Sequence, residues 1–413
     1  MTSLYRKLVL RGLGSIEEGR ILLHEGKTCH RFGDPSGDLT GDIVIKNANC
    51  YRDILLGGSL GAAEAYIRGD WTSPDLVALI QVFARNMAMV SQMETGLAAF
   101  AHPLRRAVHF LHRNTRRGSR RNIAAHYDLS NRFFAAILDS KMMYSCAYFE
   151  SDHGDLERAS TQKLERVCRK LDLKASDRIV EIGTGWGGFA IYAASHFGCH
   201  VTTTTISRQQ FDYAKKAIEA AGLQDRIDLL FADYRDLNGT FDKLVSIEMI
   251  EAVGHQYLPD FFKTCARLLK TNGAMLVQAI TIPDDRYQAA LKEVDFIKRY
   301  IFPGSFLPSI GAMVMATTSH TDLRLIHLED LTAHYAKTLA LWHRNFRDAL
   351  NQFPSNLQNP EFIRTWTYYL AYCEGGFRER VIGNAQLLFT KPRRLAQTPL
   401  TNFASGESSN GSR

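Results

Sequence analysis

From Asn122 to about Pro392, short apolar β-branched runs alternate with stretches whose apolar residues recur at helical spacing. The runs predict strands at Arg178–Ile182, His200–Thr204, Ile227–Phe231, Phe241–Ile247, Ala274–Ile282, Leu323–Leu328 and Ala385–Phe389. Amphipathic helices fall between most of them, such as Gln209–Ala221 and Pro259–Leu269. This alternation predicts an α/β fold, a doubly wound sheet that binds ligands at the carboxyl ends of its strands. Residues 1–95 pattern differently. Phe32-Gly-Asp, Leu39–Lys46 and Cys50–Leu56 read as short strands separated by Gly, Asp and Asn. Ser59–Arg68 and Ser73–Phe83 read as helices, the second opened by a Ser-Pro-Asp cap and first turn. A small N-terminal α+β domain is expected there, without a cluster of catalytic side chains.

Bulk composition adds little to this picture. The chain has 413 residues, 45% hydrophobic and 23% charged, as in an ordinary globular protein of two or three domains. No run of about 18 apolar residues occurs, so no membrane span is expected. The N-terminus has an apolar patch broken early by charge, a poor signal peptide. The cysteines at 29, 50, 146, 168, 199, 265 and 373 are scattered and never spaced C-x-x-C. Neither a disulfide framework nor a metal site is expected, and a reducing cytosol fits.

Charge is distributed unevenly. The formal net charge is +7, and His102–Arg121 alone carries seven arginines and no acid. Within it Leu104, Ala107, Val108 and Leu111 share a helical face. Residues 96–121 therefore read as a basic linker. It is either simply solvated or held at an anionic membrane surface, each cation there adding about 1 kcal/mol. Nucleic acid would also attract it, but no recognition module accompanies it. The tail, 393–413, is rich in Ser, Gly, Asn and Thr and is expected to be disordered.

The densest chemical signal is Arg178-Ile-Val-Glu-Ile-Gly-Thr-Gly-Trp-Gly-Gly188, an apolar strand running into glycines before a helix-like segment. Glycines let the backbone touch a ligand, and the following helix N-terminus points amides at it. The alternative is a tight structural turn. The spacing is G-x-G-x-G rather than the G-x-G-x-x-G of dinucleotide enzymes, which favours S-adenosylmethionine, a cofactor with no pyrophosphate. The segment after the second strand, Thr202–Gln210, has no acid to hold ribose hydroxyls. Thr205 and Gln210 would have to serve instead.

Five segments together carry a family resemblance. They are His126-Tyr-Asp-Leu-Ser130, Tyr144-Ser-Cys-Ala-Tyr-Phe149, Glu181-Ile-Gly-Thr-Gly-Trp-Gly187, Ser246-Ile-Glu-Met-Ile-Glu-Ala-Val-Gly254 and Tyr372-Cys-Glu-Gly-Gly-Phe-Arg378. In order, across residues 122–392, they closely resemble the cyclopropane-fatty-acyl-phospholipid synthases and the related mycolic-acid cyclopropane synthases. The resemblance implies a Rossmann-like class I S-adenosylmethionine-dependent methyltransferase domain. It implies methyl transfer to a cis double bond in phospholipid acyl chains, then loss of a proton to a bound bicarbonate and ring closure. A tethered carboxylate in that place would itself be open to alkylation. The first domain would engage lipid and support a homodimer, and the enzyme would work peripherally at the inner face of the membrane.

Residue by residue, the resemblance implies cofactor contacts at Tyr144, Ser145, Gly183, Gly185, Gly187, Thr205, Gln210 and Tyr234. It implies a bicarbonate cage from Cys146, Glu251, Gln278, Ile280 and Tyr335. Cys373 matches a cysteine regarded as catalytic in the family, although its aromatic helix reads as packing. Tyr148, Phe149, Tyr368 and Tyr369 are candidates to face a carbocation. Gln278 stands where several relatives have His, and Ala252 where many do. Gln offers an amide donor but cannot shuttle a proton. Those two departures bear on how the reaction ends, in a ring or in a methyl- or methylene-branched chain. The rival from another class is a non-catalytic lipid-binding protein. A nucleic-acid methyltransferase would rest on the basic segment alone.

Overall fold

Residues 2–95 and 130–394 are described by the structure, a computed structural model. The basic segment, all of the His126 motif but Ser130, and the tail beyond residue 394 lie outside the described residues.

The first unit is built on a four-stranded sheet of β1 (Arg20–Glu25), β2 (Thr28–Gly33), β3 (Thr40–Ile45) and β4 (Trp71–Thr72), in the order β2-β1-β3-β4. The Phe32-Gly-Asp segment begins as the end of β2, and Leu39–Lys46 contains β3. Cys50–Leu56 is not a strand. It is the first half of a helix, Cys50–Arg68. An Asn47–Asn49 turn launches this helix, and Cys50, Tyr51, Leu60 and Ala65 are buried. The apolar cluster therefore reflects a helix face, not a strand. The helix bends at Gly58 (φ 59, ψ −144), a conformation that favours glycine. The helix Leu76–Arg85 is capped by Asp75, whose side chain accepts from the Ala78 amide at 2.9 Å.

All seven strands expected in the second unit form. They are β5 (Arg178–Ile182), β6 (His200–Thr205), β7 (Ile227–Phe231), β8 (Phe241–Ile247), β9 (Leu269–Thr281), β10 (Arg324–Asp330) and β11 (Gly383–Thr390). Their order is β10-β11-β9-β8-β5-β6-β7. Neighbours from β9 to β7 run parallel, and β11 runs antiparallel to both β9 and β10. The order reverses between β5 and β8, so the loops after these strands border one crevice. The helix Leu156–Leu171, which the sequence pattern did not single out, packs its buried face under β9 and brings two buried lysines, Lys163 and Lys170.

The two units share one core. Tyr51, Leu79 and Val82 of the first belong to the same packed cluster as Tyr368, Leu370 and Phe377 of the helix Pro360–Arg378. Polar ties reinforce the joint. Gln81 and Arg85 donate to the Glu379 carboxylate at 2.6 and 2.9 Å, and Tyr300 donates to Glu64 at 2.7 Å.

Candidate active site

The carboxyl ends of β5, β6, β7 and β8 open on one cavity of about 840 Å³. The glycine loop forms its floor. The amides of Gly183 and Thr184 donate to the Thr204 carbonyl at 3.1 and 3.0 Å, pinning the loop to β6. Gly183, Gly185 and Gly187 have φ of 96°, 54° and 95°. At Gly185 a Cβ would meet nothing within 4 Å among the described residues, so bare backbone faces the cavity. Gly187 lies behind the wall, against Ala214, and starts the helix Gly188–Phe197.

The other residues expected to hold the cofactor converge on the same space. Tyr144, Ser145, Thr205, Gln210 and Tyr234 all line it. Thr205 donates to Gln210 Oε1 at 2.9 Å, which fixes both side chains beside the end of β6. The Ser145 hydroxyl accepts from the buried Lys163 ammonium at 2.8 Å. The hydroxyls of Tyr144 and Tyr369 are 2.9 Å apart. Bare glycine backbone, an amide–hydroxyl pair after the second strand and aromatic walls fit a nucleoside with an amino-acid tail, and so fit S-adenosylmethionine.

Deeper in, the chemistry centres on a residue that the sequence reading quoted but passed over. Glu248 follows β8 directly and has φ 48°, a left-handed backbone that costs a non-glycine residue about 1–2 kcal/mol. That conformation places its carboxylate among four donors. Oε1 accepts from the Cys146 amide (2.9 Å), Gln278 Nε2 (2.8 Å) and Asn384 Nδ2 (2.7 Å). Oε2 accepts from the Tyr335 hydroxyl at 2.8 Å. Gln278 is itself held, its Oε1 accepting from Gln386 at 2.9 Å. Tyr335 is stacked on Phe377 at 4.5 Å.

Glu251, one turn on, accepts from the Ile280 amide at 2.6 Å through Oε1, while its buried Oε2 has no partner among the described residues. Burial, then the nearby Glu248 charge, pushes its pKa up to about 8. Burial also raises Glu248, against the pull of its donors and of the Lys163 charge. Two acids so placed do not both ionise readily, and the one with four donors is the better anion.

This arrangement engages the donors of the implied bicarbonate cage within the protein itself. The Cys146 amide, Gln278 and the Tyr335 hydroxyl are engaged by Glu248, and the Ile280 amide by Glu251. Cys146 and Gln278 do not line the cavity at all. The donor set does not fit a free bicarbonate. Two aromatic candidates are also displaced. Tyr148 carries the Arg166 guanidinium over its face at 4.4 Å, and Phe149 carries Lys337 at 4.4 Å. Tyr368 and Tyr369 do line the cavity, with Phe302 and Tyr372.

Cys373 also lines the cavity, but burial pushes its thiol well above the ordinary range, so it is not a thiolate. Cys373→Ser is expected to lower methyl transfer by no more than about fivefold, where loss of a nucleophile costs orders of magnitude. Steady-state rates of the purified variant check this. Beyond Cys373 the cavity continues into the first unit, lined by Leu13, Leu23, Ile43, Ile54, Ile80 and Phe83. Among the described residues no group of His, Cys, Asp and Glu could hold a metal ion, and no helix is long and apolar enough to cross a membrane.

Known proteins share this architecture. Residues 114–387 match the family described as Mycolic acid cyclopropane synthetase. The chain is 37% identical over 334 residues to the tuberculostearic acid methyltransferase UfaA1 of Mycobacterium tuberculosis, covering 79% of this chain and 78% of that one. It is 35% identical over 359 residues to the cyclopropane-fatty-acyl-phospholipid synthase of Escherichia coli K12, covering 86% and 89%. Among solved structures, the mycolic acid cyclopropane synthase CmaA1 complexed with SAH and CTAB superposes with a TM-score of 0.61 at 31% identity, covering 66% of this chain and 98% of that one. The match runs from before the first strand of the large sheet into the last, and takes in the glycine loop and both acids after β8. The chain therefore belongs to the mycolic acid cyclopropane synthetase family and carries the fold of the class I S-adenosylmethionine-dependent methyltransferases.

Proposed function

We propose that this protein transfers a one-carbon unit from S-adenosylmethionine to the cis double bond of unsaturated phospholipid acyl chains and closes a cyclopropane ring. One observation carries the reading. A single cavity joins the glycine loop, the Glu248–Tyr335 cluster and an apolar passage into the first unit. An acyl chain needs that passage, and a small polar substrate does not.

When bound, S-adenosylmethionine supplies an electrophilic methyl group. Tyr144, Ser145, Gly183, Gly185, Thr205, Gln210 and Tyr234 hold it in this reading, with Gly187 shaping the turn. The chain's own work is to align a weak alkene nucleophile, exclude water and tolerate the positive charge that forms on the lipid. The rings of Tyr368 and Tyr369 can stabilise that charge without trapping it. Bicarbonate, which the family resemblance suggests as proton acceptor, finds its donors occupied, and no step is assigned to it.

The test is transfer of labelled methyl from S-adenosylmethionine to vesicles of unsaturated phospholipid. No label in the lipid would leave only a lipid-binding role. Filling the passage gives a second check. Ala84, in the first unit, lines it, and Ala84→Trp is expected to cut transfer by about tenfold or more while S-adenosylhomocysteine binding is retained. Equal rates would remove the passage from the substrate path. In this proposal the first unit grips the acyl chain. The basic 96–121 segment holds the enzyme at anionic headgroups on the inner face.

A second product is favoured by the site's departures. Gln278, Ala252 and the occupied donor set depart from the implied pattern, and the relative UfaA1 is named a tuberculostearic acid methyltransferase rather than a cyclopropane synthase. The same transfer could then end in a methyl- or methylene-branched chain. A ring resists mild hydrogenation and a methylene does not, so hydrogenation followed by mass measurement of the lipids separates the outcomes.

A further inference from the structure

We infer that the Glu248 carboxylate is the acceptor of the proton that leaves the newly added methyl group, so that the reaction needs no external anion. The inference rests on the methyl-transfer reading above and assigns its last step to a side chain.

Three observations support it. First, Glu248 lines the cavity, in the same wall as Glu251, Tyr335 and Ile280. Second, its donors are those that would otherwise hold an exchangeable anion. The Cys146 amide, Gln278 Nε2, Asn384 Nδ2 and the Tyr335 hydroxyl converge within 2.7–2.9 Å of its two oxygens. Third, the backbone at Glu248 is in the left-handed region (φ 48°). A non-glycine residue persists there when its surroundings over-determine it, and such strain clusters at functional sites.

The two oxygens are not equivalent. Oε1 accepts three hydrogen bonds and is saturated. Oε2 accepts one, from Tyr335, and keeps a lone pair. Oε2 is therefore the atom that can take a proton. The same donors answer the hazard of alkylation. Four hydrogen bonds lower the nucleophilicity of the carboxylate, and they fix it in place. A proton can still reach the remaining lone pair. Glu251 stays neutral beside it, and Lys163 supplies a buried positive charge that favours the ionised form.

The step balances without a co-reactant. One C–H bond of the new methyl group breaks, and its electron pair closes onto the cationic carbon. The proton passes to Glu248 Oε2. It is released to solvent when the lipid leaves, one proton per turnover.

The experiment compares transfer in carbon-dioxide-stripped buffer with and without added sodium bicarbonate. The wild-type rate is expected to change by less than about twofold. Glu248→Gln is expected to lose about 100-fold or more, within the range for removing a general base, while its S-adenosylhomocysteine affinity, measured by calorimetry, is retained. Glu248→Gly relieves the backbone strain and frees the four donors. It is expected to lose activity in stripped buffer and to regain part of it with bicarbonate. Titration of bicarbonate into the S-adenosylhomocysteine complex should give saturable heat with Glu248→Gly and none with the wild type. Several-fold stimulation of the wild type by bicarbonate, saturable bicarbonate binding to it, or near-normal transfer by Glu248→Gln would overturn the assignment. If the wild type transfers no methyl group to lipid, the functional reading fails instead, and the bicarbonate titrations still judge the donor set.

Discussion

Gly185→Val is expected to weaken S-adenosylhomocysteine binding by about 100-fold or more and to reduce methyl transfer below detection, with the fold intact. The asymmetry follows from where a side chain at 185 would go. Among the described residues no atom beyond its chain neighbours lies within 4 Å of its Cβ position, so the substitution creates no clash there. The branched side chain instead enters the space where the backbone would meet the cofactor. The φ of 54° adds strain of about 1–2 kcal/mol for a non-glycine residue, a few degrees of Tm. Calorimetric titration and thermal unfolding of the same preparation separate the two effects. Binding within tenfold of wild type would show that the loop is a structural turn and would return the glycine run to its alternative reading. Gly187 provides the contrast. Its Cβ would face Ala214 at 3.4 Å, so its glycine serves the turn rather than the ligand.

The parts of this protein legible in the sequence are those set by local pattern. The strands of the large sheet follow from β-branched runs, and the glycine loop follows from its place after the first of them. The failures have a common physical origin. Cys50–Leu56 is apolar enough for a buried strand, and periodicity over seven residues does not separate that from a helix face. Tyr148 and Phe149 share a motif with Tyr144, yet Arg166 and Lys337 cover them, which no local pattern reveals. Glu248 is the sharpest case. It stands in the same nine-residue motif as Glu251, three positions earlier, and only Glu251 drew a role from the family resemblance. Its four donors lie 102, 30, 136 and 87 residues away, on a loop, β9, β11 and the helix Thr332–Asp348. A cluster assembled from such distances becomes visible when the sheet order is known. The one available local signal was two acids three apart at the carboxyl end of a strand, where ligands bind in such sheets.

Glu251→Gln is expected to stabilise the protein at pH 8 by up to about 4 kcal/mol and to leave its stability near pH 4.5 almost unchanged. Burial and the Glu248 charge raise the Glu251 pKa from its ordinary 4.5 to about 8. Between those values the folded chain keeps a proton that the unfolded chain releases. Stability therefore falls as pH rises through this window and levels off above it. A neutral glutamine removes that slope. It can keep the hydrogen bond from the Ile280 amide through its own carbonyl oxygen. Its amide nitrogen would take the place of Oε2, which already lacks a partner, so no new unsatisfied group is created. Denaturant unfolding of both proteins at pH 5 and pH 8 measures the difference. A gain that does not grow with pH would mean that Glu251 is ionised in the folded chain. Transfer by Glu251→Gln should fall by no more than about tenfold, because the substitution preserves the neutral form that the residue holds beside Glu248. The two acids are thus separable: Glu251→Gln stabilises and keeps most of the transfer, and Glu248→Gln loses about 100-fold or more. If Glu251→Gln were instead as inactive as Glu248→Gln, the proton would have to pass through both carboxylates, and the pair rather than Glu248 alone would be the base.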